Sequence, residues 1–187
     1  MNKDELALVQ QQLNALLRKP LQQVSRQKEM ILFTFGEAEN PQQAVTLRVQ
    51  CYYRLMENGR VLMAASDMYQ PSEEMWKMWE QMGMPPDHIP EDFRPDAPGV
   101  NRLDDYLLTL NSDLEGLEIR GLMLNQTGDL SVIFASGATL QVMIDTAGGE
   151  ECWRLMYGSG DMDDLVVYGD GAELAQPESD DNYPENG

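Results

Sequence analysis

Near the start of the chain Leu6, Val9, Leu13, Leu16 and Leu17 recur at helical spacing between Gln and Asn positions. With Asp4 as a cap and Pro20 as a stop, the spacing predicts an amphipathic helix inside a helical segment over 1–28. The pattern then changes. "MILFTFGE" reads as a strand ending at Gly36, and "AVTLRVQCYYRLM" reads as one longer strand with Val45, Leu47 and Val49 on one face. "MENGRVLMAAS" supplies an Asn58-Gly59 pair, the signal of a two-residue hairpin turn, so 29–70 is predicted as a β-meander.

From Pro71-Ser72 the period becomes helical again. Met75, Met78, Trp79 and Met82 share a face of "EEMWKMWEQMG", and Gly83 ends it. "MPPDHIPEDFRPDAPG" sustains neither period and leads into a short helix, "NRLDDYLLTLN", so 71–112 is predicted as a helical and Pro/Asp-rich insertion. From Gly116 strand signals return, punctuated by turns at Thr127-Gly128-Asp129, Gly137 and Gly148-Gly149, which predicts a second meander over 113–171. The remainder, 172–187, is acidic and nearly free of apolar residues, and is predicted as a disordered tail that adds little stability.

The two meanders echo one another. Tyr53-Arg54-Leu55-Met56 matches Trp153-Arg154-Leu155-Met156, Thr46-Leu47-x-Val49 matches Thr139-Leu140-x-Val142, and Gly36 matches Gly137. Two copies of one sheet unit account for this order. The predicted fold is α+β: two related antiparallel β-meanders packed with an N-terminal amphipathic helix and a central helical insertion. Strand alternation puts the Arg54 and Arg154 guanidinium groups opposite the aromatic rings, where pairing with carboxylates is expected, with anion binding the alternative.

Charge sharpens the picture. The net charge is −19, from 32 acidic and 13 basic residues. Residues 104–187 hold 18 acids against only Arg120 and Arg154, so the excess lies in the second half. Such a field disfavours nucleic acid and anionic membranes and favours basic proteins. No run of 18 apolar residues or basic-then-apolar leader occurs, and the two cysteines, Cys51 and Cys152, fit no metal or disulfide framework, so a cytoplasmic location is expected.

Catalytic signals are sparse. His88, the single histidine, lies in the Pro/Asp loop, where a solvated side chain is expected, and both cysteines fall in strands as buried thiols. Asp161, Asp163 and Asp164 lack the glycine and the bidentate glutamate of a calcium loop and read as a hairpin turn. No phosphate-binding loop, dinucleotide fingerprint or zinc-protease motif occurs, so no cofactor or metal is expected, nor an enzyme; a carboxylate-dependent hydrolase is the lesser alternative. Contact chemistry is richer: Trp76, Met78 and Trp79 on the helix are predicted to anchor a protein partner, or to cover a sheet, while Asp161, Asp163 and Asp164 steer it.

"LRVQCYYRLMENGRVLMAASDMYQP" and "GDLSVIFASGATLQVMIDTAGGEECWRLMYGSGDMDDLVVYGDG" resemble a bacterial family with a duplicated aromatic-Arg-Leu strand motif, similar to the immunity-type proteins found beside polymorphic toxin genes. The chain differs in having Tyr52-Tyr53 where that family has Pro-Trp, and in its Met/Trp helix. The resemblance implies a non-enzymatic protein that occludes a cognate toxin, one with a basic surface. The alternative is an adaptor subunit in a bacterial assembly.

Overall fold

A computed structural model of the chain describes residues 1–86 and 88–177. Strands form where apolar and polar residues alternate, and each buries one face. In chain order they are β1 (Leu21–Gln27), β2 (Met30–Phe35), β3 (Val45–Val49), β4 (Tyr52–Glu57) and β5 (Arg60–Ala64), then β6 (Ile119–Leu124), β7 (Leu130–Phe134), β8 (Thr139–Met143), β9 (Glu151–Tyr157), β10 (Asp164–Tyr168) and β11 (Ala172–Ala175). Three α-helices accompany them: α1 (Lys3–Leu13), α2 (Glu73–Gln81) and α3 (Arg102–Ser112).

The strands build two antiparallel sheets, ordered β1-β2-β3-β9-β10-β11 and β5-β4-β8-β7-β6. Their buried faces meet. Phe33 touches Tyr53 edge-on at 6.2 Å between ring centroids, Phe35 stacks on Phe134 at 6.4 Å, and the Trp153 indole N–H donates to the Gly128 carbonyl at 3.0 Å. Gly128 has a positive φ of 103°, and a side chain there would press on Ile144 and Val167 at 3.3 Å, so this turn requires glycine.

The echo in the sequence has its counterpart in the topology. Each half runs helix, three-stranded meander, then a hairpin that crosses to the opposite sheet. β4–β5 from the first half pair beside β8, and β9–β10 from the second half pair beside β3. Read from the meander outward, one sheet is β1-β2-β3-β9-β10 and the other β6-β7-β8-β4-β5, the same order with the halves exchanged; β11 is an extra strand. Tyr53 and Trp153 fall on equivalent strands, and both rings are buried.

Four local differences from expectation have physical causes. Residues 44–56 are two strands in different sheets, with the crossing at Gln50 and Cys51. Val45, Leu47, Val49, Cys51, Tyr53 and Leu55 are all buried, so the alternation runs unbroken through the corner: inward remains inward on either sheet. Within 1–28, Leu21–Gln27 is a strand rather than part of a helical segment; a bulge between Leu21 and Gln23 lets Leu21 and Val24 both point inward, a spacing that mimics a helix. Asn2, not Asp4, caps α1, accepting from the Asp4 and Glu5 backbone while Glu5 returns the bond to the Asn2 N–H. Finally, Ala172–Ala175 pairs with β10 instead of beginning a tail; the expected disorder of 178–187 falls outside the described residues.

Candidate functional site

Helix α2 forms where the sequence placed it. The Ser72 hydroxyl accepts from the Met75 N–H at 3.3 Å, Glu73 and Glu74 sit favourably in the first turn, and Gly83 leaves the helix with φ 77°. Its seat is not a sheet. Trp79 is 5% exposed, yet it lies outside the main core, between Trp76 (5.4 Å, edge-on) and Phe93 (5.8 Å, edge-on). The helix and the Pro/Asp loop therefore make a small aromatic cluster of their own.

That cluster is tied to the body by polar bonds. Ser72 N–H donates to the Val100 carbonyl at 2.8 Å, and Glu73 N–H to the Asp105 carboxylate at 2.9 Å. Arg26 on β1 donates to the Asp96 and Ala97 carbonyls at 3.2 and 2.7 Å and pairs with Asp104 on α3. Its guanidinium is held above its ordinary pKa, chiefly by the hydrogen bonds to Asp104.

The expected stripe of Met75, Met78, Trp79 and Met82 does not all face inward. Met78 is 42% exposed and Met82 65%, whereas Met75 and Trp76 are partly covered. With Trp79 as the buried base, Met78 and Met82 are the side chains presented to solvent. Trp79 thus supports a surface and is not itself available to a partner.

The acidic triplet divides as well. Asp161 and Asp163 are exposed in the turn between β9 and β10, but Asp164 is buried and ion-paired to Arg154 at 3.3 Å. Burial outweighs that pairing and raises the Asp164 pKa. The turn packs beside the backbone of Pro41 and Ala44, while α2 is bonded to α3; no bond joins the two predicted patches among the described residues. His88 is exposed in its loop.

Arg154 belongs to a buried cluster that the sequence did not announce. Arg48 lies opposite it across the β3–β9 ladder, and the Glu151 carboxylate accepts from Arg48 and Arg154 at 2.7 Å each and from the Gln50 amide at 2.9 Å. A bulge makes this possible: Cys152 is the extra residue between the Trp153–Val167 and Glu151–Tyr168 pairs, so residues 151 and 154 reach the same face. The equivalent Arg54 donates instead to the Gln141 amide oxygen at 2.8 Å. Carboxylate pairing is therefore found for Arg154, and an amide partner for Arg54. Among the described residues, no three His, Cys, Asp or Glu side chains gather to hold a metal ion. No described helix is long and apolar enough to cross a membrane.

Compared with known proteins, the chain matches no protein family, no curated protein and no solved structure.

Proposed function

We propose that the protein is a binding module of the immunity type, which captures a basic protein toxin and acts by occlusion rather than catalysis. The observation that carries this reading is the α2 surface: Met78 and Met82 stand exposed on a helix whose Trp79 ring packs against those of Trp76 and Phe93, on a unit bonded to the body. Adaptable thioethers on a rigid support suit a contact surface. The net charge of −19 supports a basic partner, because opposite fields accelerate encounter.

The test uses the purified chain and the product of a toxin-like gene adjacent to its own. A 1:1 complex is expected, with association slowing steeply as salt rises, since fields are screened over about 8 Å at physiological ionic strength. Neutralising Asp161 and Asp163 together should slow association. Met78→Ala and Met82→Ala together, and separately Trp76→Ala, should each speed dissociation by roughly tenfold or more, corresponding to a loss of about 1.4 kcal/mol or more. A rate indifferent to salt removes the electrostatic part, an unchanged off-rate removes α2 as anchor, and no complex with the neighbouring product rejects the immunity reading.

A further inference from the structure

The chain has two cysteines, 101 positions apart in sequence, and the fold brings them together. Cys51 sits at the corner where the first half leaves β3 for β4. Cys152 is the bulged residue of β9, left out of the pairing with β10. Its carbonyl accepts from both the Gln50 and Cys51 N–H groups, at 2.9 and 3.2 Å. A direct backbone bond between two residues of this kind puts their Cα atoms in the range a disulfide spans, about 4.4–6.8 Å. The two thiols lie near enough for each to shift the other's titration, while the Cys152 Sγ donates to the Glu150 carbonyl at 3.7 Å.

We propose that Cys51 and Cys152 form a reversible oxidation site, a thiol pair that peroxide converts to a disulfide stapling the two crossings. Both residues are buried, and Cys51, 6% exposed against 1% for Cys152, is assigned as the one a small oxidant meets first. Its sulfur attacks one oxygen of hydrogen peroxide, the O–O bond breaks, and a sulfenic acid and water result. Cys152 then attacks the Cys51 sulfur: the S–S bond forms, the S–O bond breaks, and the hydroxyl leaves as a second water with the thiol proton. Two thiols lose two electrons, and the peroxide gains them.

The surroundings set the threshold of this site. Burial, each thiol's partner and the nearby Asp145 carboxylate hold the Cys51 thiol well above the ordinary thiol pKa, and burial likewise raises Cys152. Thiolate is therefore scarce and the pair stays reduced under ordinary conditions, closing only under strong peroxide exposure. Once Cys51 is oxidised, the adjacent thiol resolves it before a second oxygen is added. The closed loop spans about a hundred residues and joins the halves, so it restricts the unfolded chain strongly.

The experiment treats the whole folded chain with hydrogen peroxide, then denatures it, alkylates free thiols and determines intact mass and linked peptides. The expected product is a monomer lighter by two hydrogens, with a peptide joining Cys51 to Cys152, a Tm higher by on the order of 10 °C, and full recovery of both thiols on reduction. Cys152→Ser should stall at the sulfenic acid, trapped by dimedone on Cys51. Two alkylatable thiols after peroxide that oxidises free cysteine would overturn the proposal, as would sulfinic acid on Cys51 or a disulfide between chains. If Cys152→Ser does not fold, the peptide map of the natural chain decides alone.

Discussion

At the scale of residues, the buried ion cluster shows how neighbours decide what a charge is worth. Glu151 is shared by two guanidinium groups and one amide, so neutralising it removes the negative charge that both cationic groups share in a buried setting, although Arg154 keeps its pairing with Asp164. Glu151→Gln should cost about 3 kcal/mol in chemical denaturation. Asp164 differs in sign. Its folded-state pKa is raised, so the folded chain binds its proton more tightly than the unfolded chain does. Its contribution is therefore fully present below the ordinary aspartate pKa, about 4, and is lost as pH rises through the raised value. Stability measured across that interval should fall in the natural chain relative to Asp164→Asn, which has no proton to lose. A constant difference between the two curves would contradict the assignment.

At the scale of elements, the outer edge of β1 is covered partly by backbone, where the Leu21 N–H donates to the Leu117 carbonyl at 2.8 Å, and partly by a side chain. Asn111 at the end of α3 accepts from the Val24 N–H at 2.8 Å and donates to the Val24 carbonyl at 2.7 Å, as a neighbouring strand would. Asn111→Ala should destabilise by roughly 1–2 kcal/mol, with faster amide exchange at Val24 and more self-association on size-exclusion chromatography. Unchanged exchange at Val24 would show that the clamp is dispensable. Most elements were legible because their signals are local: the Asn58-Gly59 hairpin has φ values of 50° and 75°, and Ser72 caps α2. β1 was hidden by its bulge, and the sheet crossing at Cys51 by an alternation that both sheets share. Of the candidate site, Trp76 and Met78 were legible from helical spacing. The burial of Trp79 depends on Phe93, which lies fourteen residues on in an aperiodic loop. The Arg48–Glu151 pairing depends on a register between strands a hundred residues apart, and no local pattern encodes that.

For the whole molecule, the exchanged hairpins make each half incomplete alone. The first half supplies three strands to one sheet and two to the other, and the second half, with β11 included, supplies three to each. Chains 1–83 and 84–187, cut at the start of the Pro/Asp loop, should each lack a cooperative thermal transition and should recover one when mixed. Either piece melting cooperatively by itself would show that the halves are independent domains, contrary to the sheet order.

The same exchange has a consequence in time. On the ribosome β3 is finished about one hundred residues before its neighbour β9 begins, and at 5–20 residues per second that interval is on the order of 5–20 s. Throughout it β3 is an open sheet edge, and until Thr139–Met143 is made β4 also lacks its neighbour β8. The nascent chain is therefore most open to wrong pairing midway through its own synthesis, and the emergence of the Trp-Arg-Leu-Met strand closes that window.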